Sequence, residues 1–112
     1  MRIIVIDKNI DRHSNHRKKI KEKYSSLIRK VYKKCEITEF SKFQDDILII
    51  HYNNKEEADY LLSSKDIGLV RIFFTGAWDG VGIKKDGADY LVGYDKLYSS
   101  EMIDIVKNTI YL

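Results

Sequence analysis

Three side chains that could bind or transform a ligand stand at the ends of short apolar runs. Two of them come directly after such a run, Asp7 after Ile3–Ile6 and His51 after Ile47–Ile50, and Thr75 ends a third run. Continuous β-branched runs are typical of parallel strands covered on both faces. Because ligands bind at the carboxyl ends of the strands in such sheets, we expect Asp7, His51 and Thr75 to lie close together at one edge.

Two further histidines, His13 and His16, suggest a metal cluster with Asp7 and His51. The spacing of these four residues matches no standard ligand pattern, and both histidines stand in a strongly basic stretch. We therefore expect no metal and no other cofactor. Imidazole is a competent nucleophile, but the sequence places no carboxylate beside His51 to orient it. We expect His51 to form a hydrogen bond at the end of its strand, and we expect no catalytic residue.

The segment after Thr75 contains the glycines 76, 80 and 82, which suggests a phosphate-binding loop. It lacks the Lys-Ser/Thr ending and the following helix that such a loop requires. We interpret it as a surface loop that replaces a lost helix. Trp78 lies within this segment. If exposed, Trp78 would serve as an anchor for a partner protein; if buried, it would belong to the core.

Length and composition indicate one globular domain, residues 1–112. Cys35 is the only cysteine, which excludes an intramolecular disulfide and, without a CxxC partner, favours a reducing compartment. No apolar run approaches the roughly 20 residues of a membrane span, and the short run near the N-terminus lacks the features of a signal peptide. We therefore expect a cytoplasmic protein that does not enter a membrane.

Apolar periodicity predicts strands and helices that alternate along the chain. The predicted strands are Ile3–Ile6, Glu36–Phe40, Ile47–Ile50, Leu69–Phe74 and Ala88–Val92. The predicted helices cover residues 13–33, residues 53–64 and the chain after Glu101. Such alternation predicts an α/β fold, a mostly parallel five-stranded sheet with helices on both faces.

The pairing of the second predicted strand stays open. Only Ser41–Asp46 separates it from the third, whereas a parallel crossover usually needs about ten residues or more. Either the strand is shorter than Glu36–Phe40, or the connection is a single helical turn, or the strand pairs antiparallel at an edge.

Positive charge is concentrated in the first third of the chain. Ten Lys and Arg residues but only one acid, Glu22, fall between Arg12 and Lys34. We assign them to the polar side of the first helix, with a candidate basic patch of Arg17, Lys18, Lys19, Lys23 and Lys30. Such clustering of positive charge argues against a helix face that only contacts solvent. Such a helix binds nucleic-acid backbones without reading sequence, or it docks on an acidic protein surface.

Four segments carry a resemblance to a known family: Ile3–Asn9, Asp46–His51, Phe73–Gly76 and Gly87–Val92. They span nearly the whole chain, and in this order they resemble the receiver domain of two-component response regulators. The resemblance implies a CheY-like, flavodoxin-like fold, here with abbreviated second and fourth helices.

The resemblance also implies which chemistry is missing. In receivers an aspartate accepts a phosphoryl group while acidic residues hold a divalent metal ion. Asp7 keeps one acid, but Lys8 stands in place of the second, His51 in place of the acceptor and Gly93 in place of a lysine; only Thr75 remains. The resemblance therefore implies a pseudo-receiver without Mg²⁺-dependent phosphorylation.

The sequence thus favours a non-catalytic regulatory module that docks to itself, as a homodimer, or to a partner protein. Because receivers signal through their last strand and helix, the resemblance implies an interaction surface at Tyr94 and Tyr98. Two alternatives stay open. One is a basic protein that binds nucleic acid non-specifically through the first helix. The other is a small ligand-binding or enzyme domain at the Asp7, His51 and Thr75 edge.

Overall fold

The computed structural model describes residues 1–76 and 82–110, and within them six strands form one sheet. The strands are Arg2–Ile6 (β1), Ile28–Tyr32 (β2), Ile47–His51 (β3), Val70–Thr75 (β4), Ile83–Asp86 (β5) and Asp89–Gly93 (β6). Their order across the sheet is β2-β1-β3-β4-β6-β5. The five strands β2, β1, β3, β4 and β6 pair in parallel with their neighbours, and β5 pairs antiparallel with β6. The sheet is therefore mixed.

Helices cover both faces of this sheet. The α-helices are His13–Lys23 (α1), Lys55–Ser63 (α2) and Ser100–Ile110 (α3), with 3₁₀ segments at Ile10–Arg12, Ile37–Phe43 and Tyr94–Lys96. Apolar residues of α1 and α3 pack on one face, and those of α2 and the Ile37–Phe43 segment pack on the other. Because side chains of a strand alternate between faces, the continuous apolar runs of β1 and β3 supply both cores. None of the helices in the described ranges is long and apolar enough to cross a membrane.

The first helix is shorter than the predicted 13–33, because residues 28–32 form β2 instead. The helix ends where the N–H of Tyr24 donates to the carbonyl of Ile20 at 2.8 Å. Ile28 and Val31 beyond the helix end fit a helical spacing, but both are also β-branched, which suits a strand. Pairing with β1 decides between the two, because it satisfies the backbone of β2 along one side.

The second predicted strand, Glu36–Phe40, is wrong as well. Most of it lies in the 3₁₀ segment Ile37–Phe43, which buries Phe40 and Phe43 against the sheet. This segment lies in the crossover from β2 to β3, which covers residues 33–46 and is long enough for β2 to pair in parallel with β1. The physical reason is that two phenylalanines three residues apart pack on the same side of a 3₁₀ turn.

The sheet has six strands and not the predicted five, because part of the glycine-rich segment pairs with β6. Gly87 and Ala88 connect β5 to β6, and Asp86 stands opposite Asp89. Gly87 has φ +62° at the first position of this two-residue turn, where a type II′ hairpin needs glycine. Between β4 and β6 the described residues contain this hairpin strand in place of an α-helix. Trp78 lies outside the described residues.

A buried ion pair joins the amino ends of β4 and β6. Nε of Arg71 lies 2.8 Å from Oδ1 of Asp89, and both side chains are almost fully buried. The two residues are register partners in the parallel pair. The guanidinium also donates to the carbonyl oxygens of Leu61 and Ser64, the latter at 2.6 Å. Arg71 thereby fastens the carboxyl end of α2 to the sheet.

Candidate functional site

The carboxyl ends of β1, β3 and β4 meet at one edge of the sheet. Asp7 follows β1, His51 ends β3 and Thr75 ends β4, where Gly93 of β6 is its register partner. The structure thus brings together the residues that the sequence placed at this edge. Beside them lies a cavity of about 440 Å³, lined by Lys8, Asn9, Arg12, His51, Asn53, Thr75 and Gly76.

Asp7 is the centre of this edge and is fully buried. Arg12 donates to both carboxylate oxygens, from Nε to Oδ2 at 2.8 Å and from Nη2 to Oδ1 at 2.9 Å. Nε2 of His16 lies 2.8 Å from Oδ2, and the N–H of Asn9 donates to Oδ1 at 3.0 Å. Burial by itself raises the pKa of Asp7, but hydrogen bonds from His16, Arg12 and the Asn9 amide outweigh burial and hold this pKa well below its usual value. Asp7 is therefore an ionised carboxylate with both oxygens occupied.

His16 extends this network into the core. Its Nε2 faces Asp7, and its Nδ1 lies 2.6 Å from the hydroxyl of Tyr98. An ionised carboxylate only accepts hydrogen bonds, so Nε2 carries the proton. Burial raises the pKa of Tyr98, so its hydroxyl keeps its proton and lies within hydrogen-bond distance of Nδ1. Asp7, His16 and Tyr98 form a buried hydrogen-bonded chain that holds α1 against the start of α3.

The four residues of the metal hypothesis converge, but not as metal ligands. Nε2 of His13 lies 2.6 Å from the backbone carbonyl oxygen of Asp7, to which it donates, and not from the carboxylate. Arg12 occupies the position between Asp7 and the cavity, where a cation would sit. Across residues 1–76 and 82–110, no group of three or more His, Cys, Asp and Glu side chains is arranged to hold a metal ion.

His51 is buried at the wall of the cavity, and the carboxylate of Asp7 lies beside it. Nδ1 of His51 lies 3.4 Å from Oδ1 of Asp7. Nη2 of Arg12 lies 3.2 Å from both ring nitrogens, which is the geometry of a group over the ring face. Burial lowers the pKa of His51; Asp7 opposes this shift, while Arg12 and Lys8 add to it. His51 is accordingly a neutral imidazole near pH 7.

The loop after β1 is anchored to the start of α2 by a buried amide. The N–H of Lys8 donates to Oδ1 of Asn54 at 2.7 Å. Nδ2 of Asn54 in turn donates to the carbonyl of Lys33 at 3.0 Å and to Oε2 of Glu57 at 2.8 Å. Asn54 thereby fixes the backbone that presents Lys8 to the cavity.

Sequence reasoning missed Arg12 as a partner of Asp7, and it placed His16 near Asp7 only as a member of the rejected metal cluster. A usable signal existed, because residues four apart share one face of a helical segment, and this segment follows β1 after a short loop. Arg12 and His16 therefore had to point to the same side, towards the end of the first strand. Asn54 carried no comparable signal, because its partners Lys8 and Lys33 are distant in sequence.

Tyr94 and Tyr98, the candidate interaction residues, are half-buried and take part in the site. The hydroxyl of Tyr94 accepts a hydrogen bond from Nδ2 of Asn15 at 2.5 Å, and the guanidinium of Arg12 lies 5.4 Å from its ring centroid. The Tyr98 hydroxyl is engaged by His16. Both side chains thus have structural roles, and their contact with a partner stays a prediction.

The candidate basic patch is divided between two elements and does not lie on one helix. Arg17, Lys18, Lys19 and Lys23 lie on α1, whereas Lys30 lies on β2. Lys30 is the register partner of Ile4, which packs in the core on the face opposite α1. Since register partners in a parallel pair point to the same face, Lys30 points away from the four basic residues of α1.

At this edge the carboxylate of Asp7, neutralised by Arg12, lies beside a cavity whose seven described lining residues include no acid. Among the described residues, this edge has no cluster of acids of the kind that holds Mg²⁺. It has a neutral imidazole, two cationic side chains and a hydroxyl at the carboxyl ends of parallel strands. No protein-family model, no curated protein and no solved structure matches this chain.

Proposed function

We propose that the protein is a non-catalytic regulatory module with a receiver-like fold, which docks to itself or to a partner protein and does not undergo aspartyl phosphorylation. The state of Asp7 carries the proposal. It is the one acid retained at the position where the resemblance implies a metal site, and Arg12 binds both of its oxygens. The order of the five parallel strands, β2-β1-β3-β4-β6, supports the fold, because it is that of flavodoxin-like sheets.

Charge explains why receiver chemistry is lost. Mg²⁺ needs a near-octahedral set of oxygen ligands and usually one or two free carboxylates. Asp7 has no free oxygen, and Lys8 and Arg12 add positive charge where the ion would bind. His51, at the acceptor position, has no carboxylate with which to form an acyl phosphate. A bound dication would have to displace Arg12 from a buried ion pair.

Incubation of the full chain with acetyl phosphate and Mg²⁺ is therefore expected to leave its mass unchanged, and beryllofluoride with Mg²⁺ is expected to leave its elution volume unchanged. Intact-mass spectrometry and size-exclusion chromatography measure the two results. A phosphoryl group on any aspartate, localised by borohydride reduction and peptide mapping, would contradict the proposal.

Docking itself is expected near Tyr94 and Tyr98. Asp95, which lies between them, is exposed, so Asp95→Lys reverses a charge at this surface without touching the core. We expect light scattering on a dilution series to show a dimer, or a complex with a co-purified protein, that Asp95→Lys weakens severalfold. Glu56→Lys makes the same charge change on the opposite face and should leave the association unchanged. A chain that is monomeric at every concentration, and that brings down no protein from its native cell, would refute docking.

Non-specific nucleic-acid binding is the second candidate. The observation in its favour is the exposure of Arg17, Lys18 and Lys23 on α1, next to exposed Arg29 on β2. Arg29 is the register partner of Ile3, which faces α1, so these four charges share one side of the sheet. Because Lys30 points to the other face of the sheet, the basic residues on the α1 side can contact fewer phosphates of one nucleic-acid strand. We therefore rank this candidate second.

A further inference from the structure

The cavity at the carboxyl ends of β1, β3 and β4 is lined mainly by cationic and neutral polar side chains. Its seven residues are Lys8, Asn9, Arg12, His51, Asn53, Thr75 and Gly76, and none of them is acidic. Its volume of about 440 Å³ lies within the usual range for small-molecule sites. The lining offers two cations, two amides and a hydroxyl, which are the groups that proteins use to bind oxyanions.

The described residues in and behind the cavity wall carry more positive than negative charge. Asp7 lies behind Arg12 and neutralises it, but it uses only Nε and Nη2 of the guanidinium. Among the described residues, Nη1 of Arg12 has no hydrogen-bond partner, although a guanidinium carries five N–H donors. Lys8 is exposed and forms no ion pair with a described residue. Among the described residues, the charge of Lys8 therefore has no counter-ion at the mouth of the cavity.

We propose that this cavity binds a phosphate-type oxyanion non-covalently, with Lys8 and the free side of Arg12 as its cationic ligands. The ligand class is inorganic phosphate or a small phosphate monoester, which share the same tetrahedral dianion. The inference goes beyond the docking function, because it assigns a ligand to the edge where phosphorylation is absent. Failure of either proposal leaves the other standing, since one is tested by anion binding and the other by association.

His51 couples this binding to pH. Four groups face it: Asp7 after β1, Lys8 on the following loop, Arg12 on the 3₁₀ segment and His16 on α1. Their balance together with burial keeps His51 neutral near pH 7. An anion in the cavity would favour the imidazolium, so binding takes up a proton at His51. Affinity should consequently rise as pH falls from about 8 to about 5.5, the range in which imidazoles titrate.

Sulfate is the cleanest probe, because it stays a dianion over this pH range, and the matched variants are Lys8→Gln and Lys18→Gln. Each removes one exposed lysine, the first at the cavity and the second on α1. In two-dimensional NMR titrations of the full chain at constant ionic strength, we expect saturable shifts at the amides of Asn9 and Gly76. Lys8→Gln should weaken sulfate binding about tenfold, the loss for one charge-assisted hydrogen bond, and Lys18→Gln should not. His51→Gln should remove the pH dependence.

Phosphate and glycerol phosphate, titrated in the same way, identify the source of the anion. Tighter binding of glycerol phosphate assigns the site to a monoester, and equal binding assigns it to the free ion. The proposal is overturned if the sulfate shifts do not saturate, or if they fall on α1 and respond equally to Lys8→Gln and Lys18→Gln. It is also overturned if Lys8→Gln leaves the affinity unchanged.

Discussion

Replacing Asp7 by Asn is expected to lower the free energy of unfolding by about 3–5 kcal/mol, the cost of removing one member of a buried ion pair. Asp7 is fully buried, and Arg12 and His16 both donate to its carboxylate. An amide has a single acceptor oxygen, and its N–H₂ group would face the donors of these side chains. The substitution keeps the shape of the side chain, so the loss comes from charge and hydrogen bonding and not from a cavity.

Urea unfolding followed by circular dichroism measures this loss. At about 4–8 °C per kcal/mol for a domain near this size, the midpoint of thermal unfolding should fall by more than about 10 °C. Asp11→Asn is the matched control, because Asp11 is an exposed carboxylate four residues away. It should change stability by less than about 0.5 kcal/mol. Equal stability of wild type and Asp7→Asn would show that the network around Asp7 does not form.

The pH dependence has a defined sign. The folded-state pKa of Asp7 lies below its unfolded value, so its contribution is fully present above about pH 4 and is lost as pH falls below that value. The folded-state pKa of His51 is lowered as well. Because the unfolded chain then binds a proton more readily, stability also declines as pH falls below about 6.5. Asp7→Asn should remove the step near pH 4.

Replacing Asp89 by Asn is expected to have the second-largest effect, a loss of about 3 kcal/mol or more. Asp89 is the buried ionic partner of Arg71, whose hydrogen bonds go to backbone carbonyls in the last turn of α2 and in the loop that follows it. Neutral carbonyls offset the charge of a guanidinium less well than a carboxylate does. The substitution would leave Arg71 as a buried cation without its counter-ion.

A double-mutant cycle isolates this pair. Because most of the loss comes from the charge left unpaired, adding Asp89→Asn to Arg71→Met should cost much less than Asp89→Asn alone. Lys65→Gln is the control, since Lys65 is well exposed and lies 3.4 Å from Asp89; exposed pairs contribute about 0–1 kcal/mol. Additive losses in the cycle would argue against a direct interaction between Arg71 and Asp89.

The sequence does not reveal the Asp7 network or the Arg71–Asp89 pair as a whole, although it draws attention to one residue of each. Asp7 directly follows an apolar run, whereas its partners Arg12 and His16 lie in a basic stretch. Asp89 lies in one of the segments that carry the family resemblance, and Arg71 lies inside the predicted strand Leu69–Phe74. The pattern of charges along the chain shows where one sign of charge is in excess. It does not show which charged side chains become buried next to each other in the fold.

The strands that are buried on both faces, β1, β3 and β4, were predictable from sequence because each is dominated by apolar residues, most of them β-branched or aromatic. The helices α2 and α3 were predictable because their apolar stripes are regular. Edge elements were not predictable. β2 carries Ile28 and Val31, which together with the preceding Leu27 fit a helical spacing equally well, and β5 lies within a glycine-rich segment that resembles a loop.

The sequence by itself determined that this is an α/β domain, and it determined which side chains end the central strands. A strand that is buried on both faces needs apolar side chains at consecutive positions, and such a run is visible in the sequence. Only the tertiary structure decided that Arg12 and His16 close on Asp7 and that β2 and β5 complete the sheet. Those choices depend on hydrogen bonds and ion pairs between residues distant in sequence, whose free energies arise only when the elements pack and exclude water.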